Sequence, residues 1–247
     1  MTIPMHRLLA DTETLKNDSP ILSREAANHL KVLRPKNGEE VELFDGRGLT
    51  RVYRYNASSR ELEAAGDLTR HAKASSATVT LFACVTKGAR WDWTLEKATE
   101  LGVDRIVPVI SARTIVRVGA AERSAKRERW MRIVEEAGRQ SDAVFLPEIA
   151  EIADFGDSLE LVKKTRCFVG ALMTPPPKPL LKEALSAGSG GAGGDYAVYV
   201  GPEGDFTPEE LLSLLEIARP VSFGSRILRA ETAAIFALSV LRSAFDA

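Results

Sequence analysis

From residue 78 onward, short apolar runs alternate with longer stretches whose apolar positions recur at helical spacing. The runs at 78–85, 106–109, 167–172, 196–200 and 221–223 predict strands, and the stretches at 93–101, 121–140, 179–186, 208–218 and 231–245 predict helices. Strands that alternate with helices predict a mostly parallel sheet covered by helices, an α/β fold. Before residue 73 the pattern differs. A strand pattern at 41–44 passes through Asp45-Gly46-Arg47-Gly48 into a second at 50–55, which is hairpin spacing, and a short helix at 23–30 has Ser23 as its N-cap. The chain therefore divides into a small β-rich module at 1–73 and a larger α/β domain at 74–247, joined by a polar linker at 71–76. The prolines at 175–177 and the glycines at 188–194 predict exposed loops.

Two helices carry further signals. The one at 208–218 starts with Thr207 as cap, Pro208 in the first helical position and Glu210 completing a capping box. The last, at 232–241, has almost no polar face, so it must be covered on nearly all sides. A subunit interface would cover it, and so would a deep monomer core.

Composition narrows the partners. A formal net charge of -1 and a pI near 6.4 do not mark a general nucleic-acid binder, although local basic patches remain available for an RNA surface. Residues 1–15 lack the continuous apolar core of a signal peptide, and no run is apolar enough to span a bilayer, so a cytoplasmic location is expected. Cys84 and Cys167 each lie inside an apolar run, which makes them small core residues rather than a disulfide, and His6, His29 and His71 share no ligand spacing. No metal is expected.

The chemistry concentrates in two strand-to-helix turns. Val200 leads into Gly201-Pro202-Glu203-Gly204-Asp205-Phe206, and Phe223-Gly224-Ser225-Arg226-Ile227-Leu228-Arg229 precedes Ala230-Glu231-Thr232 and the last helix. Loops leaving the C-terminal ends of parallel strands are where open α/β sheets bind ligands. Glu203 and Asp205 would repel a phosphate, and no Gly-Lys-Ser/Thr ending is present, so the first loop suits a ligand with cationic character. S-adenosylmethionine, with its sulfonium and ammonium groups, meets that requirement. Ile227 and Leu228 supply apolar walls for a flat adenine, with Arg226 and Arg229 as cations beside them. The glycine run at 188–193 matches a dinucleotide-binding pattern only formally, since a helix precedes it and a strand follows, the reverse of what that motif needs.

A third segment, 87–102, carries Lys87 and Arg90 with Trp91 and Trp93, residue types used for phosphate contact and base stacking, while one of the tryptophans is expected in the core. The charged helix at 122–139 reads first as a solvated face, its basic half as a secondary RNA contact.

Taken in order, these segments resemble the RsmE family, knotted SPOUT-class methyltransferases that methylate N3 of a uridine in small-subunit (16S) ribosomal RNA. The similarity runs over essentially the whole chain, and its further marks are His29-Leu30-Lys31-Val32-Leu33-Arg34 and Leu43-Phe44-Asp45-Gly46. It implies a PUA-like β-barrel that helps bind RNA, then a SPOUT-type parallel sheet with a C-terminal trefoil knot, in a homodimer. It also implies a cofactor pocket built from Val200, Gly201, Pro202, Glu203, Gly204, Phe223, Gly224, Ser225, Ile227, Leu228 and Arg229, and RNA contacts at Arg7, His29, Arg34, Lys87, Arg90 and Gln140. Two departures stand out: Asp205 occupies a family glycine position, and Arg139-Gln140-Ser141-Asp142-Ala143 replaces a Glu-Gln-Ser/Cys-Gly-Arg run.

The implied reaction removes the N3 proton of an unpaired uridine and places a methyl there. Negative charge spreads onto O2 and O4 as the proton leaves, so a fixed cation lowers the barrier. Arg229 is the first candidate, Arg7 the second, and Glu231, a water or solvent takes the proton. Methylation of another base or of a ribose 2′-hydroxyl, and a noncatalytic RNA-binding assembly role, remain alternatives, as do free RNA and the assembled 30S subunit as substrate.

Overall fold

A computed structural model of the chain describes residues 6–73, 77–162, 165–188 and 194–245. It separates into two compact units, Met1–Lys73 with Gly138–Leu146, and Ala74–Ala137 with Pro147–Ala247. The return of Gly138–Leu146 to the first unit lies outside the expected 1–73 module.

The first unit contains β1 (His6–Leu9), α1 (Thr12–Lys16), α2 (Arg24–Leu33), β2 (Glu40–Phe44), β3 (Leu49–Asn56), β4 (Glu61–Ala64) and β5 (Thr69–Arg70). Its sheet runs β1-β2-β3-β4, with β5 beside β3. Leu8, Val41, Leu43, Leu49, Tyr53 and Leu62 meet Leu15 and Leu30 of the helices in one core. Ser23 caps α2 through its hydroxyl, which accepts from the Ala26 amide at 3.1 Å. In the β2–β3 turn, Asp45 Oδ1 accepts from the amides of Arg47 (2.7 Å) and Leu49 (2.9 Å). Gly48 at φ +98° completes that turn and leaves room for a neighbour: a Cβ there would stand 2.5 Å from the Phe145 ring.

Arg7 belongs to this packing, which corrects its expected role as a catalytic or RNA-contacting cation. Its residue is 7% exposed; Nε donates to Glu42 at 2.6 Å, Nη1 to the carbonyls of Gly138 and Ala143 at 3.2 Å, and the guanidinium lies 4.3 Å over the Phe44 ring. A cation so surrounded has no free face for a substrate. It ties β1 to the returning segment instead.

The second unit contains β6 (Thr78–Cys84), α3 (Ala89–Glu100), β7 (Arg105–Ile110), α4 (Ala120–Gln140), β8 (Glu148–Ile149), β9 (Ala153–Asp154), α5 (Phe155–Glu160), β10 (Arg166–Gly170), α6 (Leu180–Gly188), β11 (Asp195–Val200), α7 (Pro208–Leu215), β12 (Ala218–Val221) and α8 (Ala230–Phe245). The sheet order is β12-β10-β11-β6-β7-β8, with β9 also on β7, and every pairing is parallel. Buried residues Phe82, Val107, Val169 and Tyr199 form its core with Phe206 and Leu214 from the α7 side. Tyr199 stacks on Phe82 at 4.5 Å between centroids, and its hydroxyl donates to Ser158 Oγ at 3.0 Å.

Three sequence expectations change here. Strand β12 occupies Ala218–Val221 rather than 221–223, and α7 stops at Leu215. The edge position tolerates Pro220, which has no N–H to give. Basic residues of α4 are engaged within the protein: Arg123 and Arg127 donate to the carbonyls of Ile152 and Ile149 at 2.8 Å, and Arg129 to Asp92 at 2.9 Å. Trp91 is the core tryptophan, edge-on to Trp130 at 5.4 Å, while Trp93 is 41% exposed. On α8, Ala233, Ala234, Ala237, Leu238 and Leu241 are buried and Phe236 is partly exposed. The glycine run at 189–193 lies outside the described residues.

Candidate active site

Strands β11, β10 and β12 are neighbours, and their C-terminal ends lie level: Val169 is opposite Tyr199, and Gly170 is opposite Val221. The chain therefore leaves the sheet at three adjacent points on one edge. Between them is a cavity of about 310 Å³. Its walls include Val200, Gly201, Pro202, Glu203, Phe223, Gly224, Ile227, Leu228 and Arg229, nine of the eleven residues expected there. The other two, Gly204 and Ser225, belong to the same loops but not to the wall.

The first loop is held by local chemistry. Thr207 and Glu210 form the capping box of α7, with Glu210 Oε2 accepting from the Thr207 amide at 2.9 Å and Thr207 Oγ1 from the Glu210 amide at 3.2 Å. Glu210 Oε1 also accepts from the Ala112 amide at 2.8 Å, and Arg113 donates to the carbonyls of Gly204 (2.8 Å) and Phe206 (3.3 Å). The connection after β7 thus braces the loop after β11. Asp205 takes the left-handed conformation, φ +58°, and its Oδ1 accepts from the Phe206 amide at 2.8 Å. Aspartate is one of the few side chains that tolerates that region, which explains how it replaces glycine.

The second loop leaves β12 through Ser222, whose amide donates to the Lys178 carbonyl at 2.9 Å. Gly224 has φ +113°, a backbone setting that only glycine adopts without strain. Phe223 reaches back over Gly170 and meets Phe236 of α8 at 5.8 Å between ring centroids. Ile227 is 81% exposed at the mouth.

Charge in the cavity is mixed. Glu203 and Asp205 line it from the first loop, Arg226 and Arg229 from the second. Among the described residues, neither guanidinium makes an ion pair or side-chain hydrogen bond. Glu203 does: its Oε1 lies 3.4 Å from Arg90 Nη1. Glu231, expected as a proton acceptor, is not part of the wall; its Oε1 lies 3.8 Å from Arg90 Nε. Arg90, expected at RNA, is therefore engaged with two carboxylates.

Of the remaining RNA candidates, Lys87, Arg34 and Gln140 are exposed, and His29 is half-buried on α2. Arg34 closes α2 in the left-handed conformation, φ 50°. Sequence reading missed Arg113, and it missed Gly170, Ala171 and Leu172, which also line the cavity. The signal for the last three was available: they end a parallel strand beside the one that feeds Gly201. Cys84 and Cys167 are buried and free, and burial pushes each thiol up to about 12, so neither is a thiolate at neutral pH. Among the described residues, no cluster of three His, Cys, Asp or Glu is placed to hold a metal, and no helix is long and apolar enough to cross a membrane.

Comparison with known proteins gives this geometry relatives. A family model for the RNA methyltransferase domain matches residues 73–242, and one for the RNA methyltransferase PUA domain matches residues 22–64. The chain is similar to ribosomal RNA small subunit methyltransferase E of Rickettsia conorii, 30% identical over 216 residues that span 85% of this chain and 83% of that protein. Its counterpart in Synechocystis is 28% identical over 243 residues, 98% of this chain and 78% of that one. Among solved structures, the Neisseria gonorrhoeae methyltransferase E bound to S-adenosyl methionine superposes with a TM-score of 0.82, at 28% identity and 98% coverage of both chains. With its PUA-type first unit, its parallel sheet and its paired loops, the chain belongs to the ribosomal RNA small subunit methyltransferase E (RsmE) family of RNA methyltransferases.

Proposed function

We propose that the protein binds S-adenosylmethionine in the cavity between the two loops and methylates N3 of a uridine in small-subunit (16S) ribosomal RNA. The observation that carries this reading is the convergence of three parallel strand ends on one cavity lined by both carboxylates and by Arg229, whose side chain has no partner among the described residues. The residues fit the cofactor. Glu203 and Asp205 complement its cationic groups, and Leu172, Val200, Ile227 and Leu228 give an apolar seat for the adenine.

When bound, S-adenosylmethionine supplies an electrophilic methyl group. The chain's own residues do the rest. Backbone groups at Gly201 and Gly224 border the seat without side chains in the way, and the Arg113 and Glu210 bonds hold the first loop in place. Arg229 places positive charge where uridine O2 or O4 gains negative charge as the N3 proton departs. Solvent at the open mouth receives that proton, since Glu231 points to Arg90.

The trefoil knot and the homodimer belong to the same proposal. The β10–α6 and β12–α8 connections run side by side, with the Leu180 amide donating to the Ser222 carbonyl at 3.1 Å, a contact that a threaded arrangement of these two connections would need. Exposed Leu181 and Leu185 on α6, together with Phe236 on the adjoining α8, leave an apolar face suited to a second copy. A cytoplasmic location follows from a ribosomal RNA substrate. The test is nucleoside mass spectrometry of 16S RNA from cells with and without the gene, followed by restoration of the mark with purified protein and S-adenosylmethionine. N3-methyluridine absent from the mutant and restored in vitro is the expected result; methylation at another atom would overturn the assignment.

A further inference from the structure

We infer that Arg90 is a positioning residue that ties the first cavity loop to the start of α8, where the second cavity loop ends, by standing between a carboxylate from each, an inference that rests on the cofactor reading above. Arg90 lies in the first turn of α3, after Gly88 turns the chain at φ +60°. Its Nη1 is 3.4 Å from Glu203 Oε1, in the loop after β11. Its Nε is 3.8 Å from Glu231 Oε1, two residues beyond Arg229. Among the described residues, no other ion pair reaches either carboxylate.

The surroundings make that placement consequential. The Glu231 side chain is only 12% exposed, and its Oε2 is buried with no hydrogen-bond partner. A carboxylate so withdrawn from water depends on the nearest cation. Removing Arg90 leaves Glu203, in the first loop, and Glu231, in the first turn of α8, as like charges, and their repulsion moves apart the segments that carry Glu203 and Arg229 in the cavity wall. A lysine keeps the charge, but its single ammonium cannot present two nitrogens to two carboxylates as the guanidinium does. This role differs from the RNA contact expected of Arg90, and the two predict different losses.

The test is calorimetric titration of S-adenosylmethionine, without RNA, into the wild type, Arg90→Ala, Arg90→Lys, Glu203→Gln and the Arg90→Ala/Glu203→Gln double variant, with melting curves to confirm the fold. We expect Arg90→Ala to weaken cofactor binding roughly fivefold, Arg90→Lys to recover part of that, and the double variant to lose less than the sum of the single changes. In turnover, KM for the cofactor rises more than kcat falls. Unchanged or tighter cofactor binding by folded Arg90→Ala overturns the inference, as does a loss confined to RNA affinity, which would make Arg90 an RNA contact. Failure of the wild type to bind S-adenosylmethionine removes the underlying reading and this inference with it.

Discussion

Arg113 donates to the carbonyl of Gly204 at 2.8 Å, so the loop that opens the cavity is fastened to a side chain 91 positions earlier. Arg113→Ala strands the carbonyls of Gly204 and Phe206. The expected cost is about 1–2 kcal/mol of folding stability in urea titrations, with weaker cofactor binding alongside. Arg113→Lys, which offers a point charge instead of a fork, is expected to recover only part of both.

Arg229, like Arg226 and unlike Arg90 and Arg113, makes no ion pair or side-chain hydrogen bond among the described residues, and of the two it stands next to the start of α8 in the cavity wall. Arg229→Ala is expected to lower kcat about 100-fold while leaving the fold intact, because the charge is needed chiefly as the N3 proton leaves. Single-turnover kinetics with cofactor saturated measures this; an unchanged rate would remove Arg229 from the chemistry.

Gly170 ends β10 beneath Phe223, and a Cβ on it would stand 2.6 Å from the ring's Cζ. Gly170→Ala is expected to displace Phe223, cost about 1–3 kcal/mol and weaken the cofactor. Gly156→Ala is the contrast. It lies in α5 with nothing within 4 Å of the added carbon, so helix propensity predicts a gain of roughly 0.5–1 kcal/mol.

Stability also carries a pH signature from α6. The Arg219 guanidinium bonded to Glu183 holds that carboxyl below its usual 4.5, with Lys178 adding at 3.5 Å and burial opposing. Because the folded state favours the ionised form, the contribution is complete above that value and is lost as pH falls below it. Glu183→Gln is therefore expected to cost about 1 kcal/mol at neutral pH, with the gap to wild type closing in acid; urea midpoints across the range check this.

Much of the second unit was legible because parallel strands buried on both faces leave unbroken apolar runs, as at Leu81 to Cys84 and Tyr196 to Val200. Strand β12 was not, since Arg219 and Pro220 interrupt its run: one is drawn off by Glu183, the other is admitted by an edge. The cavity loops could be read from their glycines and charges. What holds them could not, because Arg113, Arg90 and Gly170 act through partners far away in sequence. Both departures from the family pattern have a common physical form: Asp142 and Asp205, each at a family glycine position, sit at φ +55° and +58°. The sequence showed the substitutions, and the backbone shows that both aspartates take the left-handed conformation that glycine adopts most freely.

The return of Gly138–Leu146 to the first unit sets an order on biosynthesis. The amide of Gly48 waits for the Val144 carbonyl at 2.9 Å, the Gly46 carbonyl for the Leu146 amide at 2.9 Å, and buried Arg7 for the carbonyls of Gly138 and Ala143. A ribosome that has released only the first 73 residues has released a module without these partners. Completion of the N-terminal unit must follow translation well into the second one, so a fragment cut at the linker would be a poor stand-in for it, and any graft of this unit onto another chain would have to carry two separate pieces of sequence.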